Sequence, residues 1–115
     1  MSDERRDGPR VSILGELRGE VMVFQPMTVT QIGRGGAQVE TGFRLQLDSL
    51  HDFRLTLGDH SVIVKGRIVH CSIVDVEEEH VAYRAGVEFV ELSEHARVAI
   101  NSFVEALQES RKGLS

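Results

Sequence analysis

The strongest constraint on the fold is a hydrophobic period of two. Val81, Tyr83, Ala85, Val87 and Phe89 alternate with residues that include Arg84 and Glu88. Successive side chains of an extended strand point to opposite faces, so this spacing buries one face and leaves the other polar. The stretch predicts a central strand of the core. The same period recurs where Phe43, Leu45 and Leu47 alternate with Arg44, Gln46 and Asp48, and where Phe53, Leu55 and Leu57 flank Arg54 and Thr56, which predicts two more strands. Val11 to Leu14, Val21 to Phe24, a strand ending near Thr30, one carrying Val39, and Val62 to Val74 complete the set. Turn residues fall between them at Gly33 to Gly36, Thr41-Gly42, Gly58-Asp59 and the acidic run Asp75 to Glu79. Short strands at this spacing predict a mostly β chain folded as a small antiparallel β-barrel.

The period changes at the C-terminus. Ala96, Ile100, Phe103, Val104 and Leu107 recur at steps of three and four, which places them on one face of a helix over 93–113. Ser93 is suited to cap that helix, Glu94 to its positive end, and Arg111, Lys112 and Gly113 to its last turn. An apolar helix face in a chain of 115 residues is expected to cover the barrel. The organisation is therefore a single domain: a flexible N-terminal segment over 1–10, a barrel over 11–92 and the closing helix.

Charge limits the partners. The chain has 13 Lys and Arg against 18 Asp and Glu, a formal net charge of −5, which opposes binding to a nucleic-acid polymer, since that requires many clustered cations. Any anion site must be local. One cysteine, Cys71, leaves no internal disulfide framework, and the polar start of the chain lacks the pattern of a secretory signal, so a cytoplasmic location is expected. No apolar run approaches the ~20 residues that span a bilayer. The five histidines, His51, His60, His70, His80 and His95, are scattered without metal-ligand spacing. No nucleophile turn or carboxylate pair stands out, so neither a metal, a cofactor nor an enzyme is expected.

Two features do point to a ligand. Arg6 and Arg10 bracket an Asp7-Gly8-Pro9 bend just before the first apolar run. A guanidinium gives two parallel hydrogen bonds to a phosphate and stacks its face on a flat ring, so two of them can clamp one anionic ligand. Pro9 disfavours helix between them. The second feature is Gln31-Ile32-Gly33-Arg34-Gly35-Gly36, a glycine-rich turn that permits close approach of backbone to a ligand. It lacks the lysine-serine pair and following helix of a phosphate-binding P-loop.

In this order the two features resemble the PilZ family, receptors for cyclic di-GMP whose motifs are R-x-x-x-R before the first strand and [D/N]-x-S-x-x-G in a later turn. Arg6-Asp7-Gly8-Pro9-Arg10 matches the first. Arg5 before the clamp, Val11 after it, Gly35-Gly36-Ala37, Gly86-Val87-Glu88-Phe89 and the terminal helix extend the likeness over nearly the whole chain. The resemblance implies a six-stranded barrel with a C-terminal helix, and cyclic di-GMP as a ligand held by Arg5, Arg6, Arg10, Gln31, Gly33 and Gly36, while Arg34 in the same turn is a further candidate phosphate contact that the motif does not require. In the second motif Gln31 stands in place of Asp or Asn and Gly33 in place of Ser, and only Gly36 is kept. Losing both side-chain contacts costs about 2–4 kcal/mol, from the usual worth of a charged and a neutral hydrogen bond. That is roughly two to three powers of ten in affinity. The resemblance thus implies either a cyclic di-GMP-binding signalling adaptor of weakened affinity, or a protein-interaction module that keeps the barrel without the ligand and acts in a motility, polarity or secretion assembly. A protein partner is expected in both cases.

Overall fold

A computed structural model describes residues 9–21, 25–77 and 80–114. Six strands, β1 (Val11–Val21), β2 (Gln25–Ile32), β3 (Gly36–Thr41), β4 (Leu50–Leu57), β5 (His60–Glu77) and β6 (His80–Val90), are followed by one helix, α1 (Glu94–Leu114). Every pairing is antiparallel, in the order β1-β2-β3-β6-β5-β4, and β4 returns to β1 through Gly19↔Leu55, Glu20↔Arg54 and Val21↔Phe53. The sheet closes on itself, which removes most of its free edges.

The period of two decides which side chains fill the barrel. Val29 and Ile32 of β2, Val39 of β3, Phe53 and Leu55 of β4, Val62, Val64 and Ile68 of β5, and Ala85 and Val87 of β6 are all buried. Close packing requires missing side chains where neighbours are large: a Cβ on Gly66 would stand 2.4 Å from Val87 Cγ1 and 2.9 Å from Phe53 Cε1. Helix α1 closes one end, burying Ala96, Ile100 and Val104 while Phe103 and Leu107 pack at the margin of the core. Its first turn is capped as the sequence predicts, with the Ala96 amide donating to Ser93 Oγ at 3.1 Å.

One predicted strand is absent. Residues 42–49 form bends and a turn. Leu45 is buried in the core and Phe43 packs partly buried against it, while Leu47 is 57% exposed. Local bonds hold the loop out of the sheet: Thr41 Oγ1 donates to the Phe43 carbonyl, Ser49 Oγ donates to the Gln46 carbonyl, and Asp48 adopts φ 66°. No edge remains for such a strand beside β3, which already pairs with β2 and β6. Val21 ends β1, and the rest of the predicted Val21 to Phe24 strand lies outside the described residues, as do Glu78 and Glu79 of the acidic run. The remaining boundaries move by a few residues, β5 running farther than Val62 to Val74 at both ends.

Candidate functional site

The end of the barrel that carries the start of β1 also carries the β2–β3 turn, so folding brings the two sequence motifs together. Two irregularities aim them. Between Ser12 and Leu17 the β1–β2 register slips, with Gly15 at φ 103°, and between Val29 and Gln31 the β2–β3 register slips by one residue at Thr30. Slips of this kind twist a strand and redirect its side chains. After them Val11 pairs with Ile32, both buried, and Ser12 pairs with Gln31, so Gln31 lies half-buried on the outer side of the sheet. The turn itself is tied by Gly33 N donating to the Gly36 carbonyl at 2.8 Å and by Phe89 N donating to the Gly35 carbonyl at 2.9 Å.

The arginine that ends the first motif sits directly on this turn. A Cβ on Gly33 would stand 3.0 Å from the Pro9 carbonyl oxygen and 3.1 and 3.2 Å from Arg10 Cγ and Cα. A Cβ on Gly36 would stand 3.0 Å from Arg10 Nη2 and 2.3 Å from the Val87 carbonyl oxygen. Backbone and guanidinium of Arg10 thus occupy the space that side chains at these two positions would need. Gly33 and Gly36 serve here by having no Cβ, and neither is a left-handed residue. Arg5 and Arg6 lie outside the described residues.

Arg34 faces another way. Its Nη2 is 3.5 Å from Glu105 Oε2 on α1, with both side chains substantially exposed, a pair of little energetic worth. Beside it a cleft of about 560 Å³ is lined by Ser102, Glu105, Gln108 and Glu109, whose carboxylates repel an anion. Arg111 donates from the end of α1 to the Ser12 carbonyl, two residues beyond Arg10. The helix therefore contacts both the arm side and the turn side of the candidate site.

Sequence reasoning did not single out the charged residues on the neighbouring strands. Glu88 is the register partner of Gly36, and its carboxylate is held by Arg67, which also reaches Asp48 at 3.7 Å. The bond to Glu88, and then its charge, raise the Arg67 pKa further above its ordinary value. Farther along, Arg84 bridges to Glu40 at 2.9 Å. The available signal was the polar half of the β6 alternation, which places Arg84 and Glu88 on the outer side.

The Ser49–His51 contact is not arranged for nucleophilic catalysis. Ser49 Oγ lies 2.8 Å from His51 Nε2, but the hydroxyl donates to the Gln46 carbonyl, which leaves its oxygen to accept from the imidazole. A general base must take the serine proton, so the polarity is reversed. Burial lowers the His51 pKa below 6.5, against the smaller opposing effect of Asp52. His70 and Cys71 point to opposite sides of β5, the first exposed and the second half-buried against the core, as adjacent strand residues should. No group of three or more His, Cys, Asp and Glu gathers among the described residues, and no helix among them is long and apolar enough to cross a membrane. A cleft of about 770 Å³ is lined by Arg18, Thr28, Glu40, Arg54, Thr56 and others, and includes none of the motif residues.

Comparison with known proteins bears on this surface. The pattern of the PilZ domain matches residues 3–106, which includes both motifs and most of α1. The chain belongs to the PilZ domain family. No protein of curated function matches it. Among solved structures, this PilZ domain resembles that of YcgR from Escherichia coli with c-di-GMP, at 12% identity, a TM-score of 0.74 and 95% coverage of each chain. It resembles the K. pneumonia MrkH-c-di-GMP complex at 16% identity and a TM-score of 0.74, covering 96% of this chain and 56% of that one. The Bacillus subtilis inhibitor of motility, MotI/DgrA, matches at 14% identity and a TM-score of 0.73 over 92% of this chain and 52% of that one. The PilZ domain described here spans about half the length of MrkH and MotI. At these identities the likeness is one of fold.

Proposed function

We propose that this PilZ domain is a bacterial, cytoplasmic signalling adaptor that binds cyclic di-GMP and passes the signal to a protein partner, without catalysing a reaction. The observation that carries this reading is the seating of Arg10 on Gly33 and Gly36, which joins the two halves of the family's ligand site on one face. Arg10 and Arg6 take the phosphates and stack on guanine faces, with Arg5 adding positive charge. Gln31 offers an amide to a guanine edge, and Gly33 and Gly36 give the ligand close access to the backbone. Arg34 reaches the ligand only by leaving Glu105. Because both its turn and α1 border the site, ligand engagement changes the surface formed by the arm, the turn and the helix, and that surface is what a partner reads.

A second reading, that the module binds a protein partner and no longer binds the nucleotide, is favoured by one observation. A Cβ at Gly33, which a serine would bring, would stand only 3.0 to 3.2 Å from Pro9 and Arg10. Thermal unfolding separates the two, because a ligand that binds only the native state raises its apparent stability. The first reading predicts a melting temperature that climbs with cyclic di-GMP and is unmoved by GMP. An unchanged melting temperature at high micromolar cyclic di-GMP favours the second.

A further inference from the structure

Glu88 lies on the same face of the barrel as the two motifs. Ile32, Ala37 and Val87 stand side by side across β2, β3 and β6 and are all buried, so their neighbours along each strand point outward. On that outer face Gln31 stands opposite Gln38, Gln38 opposite Gly86, and, two residues along, Gly36 opposite Glu88. Gly36 carries no side chain, and Arg10 Nη2 lies 3.0 Å from where its Cβ would be. The guanidinium of Arg10 thus rests over β3, with Gln31 on the strand to one side and Glu88 on the strand to the other. At the usual ~4.8 Å between strands and ~3.3 Å per residue, the Cα atoms of Gln31 and Glu88 are about 12 Å apart. Arg10 divides that gap.

The carboxylate of Glu88 is held as an acceptor. Arg67, its register partner on β5, donates to Oε1 and offsets its charge, so the pair adds no net repulsion against a phosphate on Arg10. The Glu88 side chain is 23% exposed, covered enough to be fixed and open enough to be reached. An ionised carboxylate only accepts, with about four lone-pair sites on its two oxygens, and one bond to Arg67 leaves capacity for more donors. The Watson–Crick edge of guanine offers two adjacent donors, N1–H and the 2-amino group, which one carboxylate can take together. Adenine presents an acceptor at N1 and is repelled there. In cyclic di-GMP the phosphates lie between two guanines, which matches the order Gln31, Arg10, Glu88 across the sheet.

We infer that Glu88 is a specificity-determining residue of the ligand site, accepting from N1–H and the 2-amino group of one guanine while Gln31 reads the other, and so supplying from β6 the acid that the second motif lacks at position 31. This role rests on the proposed binding of cyclic di-GMP, to which it adds a residue outside both motifs. Calorimetric titration of the full chain with cyclic di-GMP and with its inosine analogue, cyclic di-IMP, which keeps N1–H and lacks the 2-amino group, tests it. The wild type should prefer cyclic di-GMP. Glu88→Gln should bind cyclic di-GMP roughly tenfold or more weakly, the usual worth of a hydrogen bond to a charged group. Its preference over cyclic di-IMP should also shrink, a change that loss of the Arg67 pair alone would not bring. Glu40→Gln removes the carboxylate of the corresponding Arg84 pair between β3 and β6, and should change neither quantity. Equal affinity or an unchanged preference in Glu88→Gln, or an equal loss in Glu40→Gln, overturns the role of Glu88 and leaves the proposed function standing. A wild type that gives no heat with cyclic di-GMP overturns both.

Discussion

Gly33 determines how the two halves of the site meet. Its missing Cβ lets Pro9 and Arg10 rest on the turn, and it also removes the hydroxyl that the family pattern supplies there. Gly33→Ser therefore sets two effects against each other. The hydroxyl adds a neutral hydrogen bond to the ligand, worth about 0.5–1.5 kcal/mol. The Cβ asks the Pro9 carbonyl and Arg10 to give way by a few tenths of an ångström, and these two residues precede β1 and take no part in its pairing. The expected outcome is a two- to tenfold tighter dissociation constant for cyclic di-GMP, about the equivalent of that hydrogen bond, with little change in the urea midpoint. Unchanged or weaker binding would show that the seat of Arg10 matters more than the hydroxyl.

At the scale of elements, α1 is held by its buried face and by its cap. The Ser93 cap satisfies one of the amides that a helix start leaves without an intrahelical partner. Ser93→Ala should cost about 1 kcal/mol, as caps of this kind usually do. Urea unfolding followed by circular dichroism measures it, and an unchanged midpoint would mean that packing of Ala96, Ile100 and Val104 alone fixes the helix. This helix was legible in the sequence because its period, cap and last turn agree, and the central strand because Val81 to Phe89 alternates without interruption. The loop at 42–49 was misread because alternation records which side chains are buried and says nothing of whether backbone partners exist. Leu45 is buried from a loop as completely as it would be from a strand.

For the whole molecule, closure of the barrel turns a separation of more than twenty residues between Arg10 and the Gln31 to Gly36 turn into a contact. The motif residues were legible one by one, and the resemblance supplied their order. The seating of Arg10 on two glycines was not legible, because it depends on the register slips at Thr30 and between Ser12 and Leu17, which no local pattern announces. Nor was the Arg67, Glu88 and Asp48 cluster, which assembles residues from β5, β6 and the 42–49 loop. The central claim is that this surface binds cyclic di-GMP through Arg10. Calorimetric titration of cyclic di-GMP into the full chain tests it most directly, with Arg10→Ala alongside. The account predicts a saturable isotherm for the wild type, weakened roughly tenfold or more in Arg10→Ala, because charged hydrogen bonds to a phosphate are worth about 1.5–3 kcal/mol. No heat at high micromolar ligand, or equal affinity in the two proteins, would contradict it.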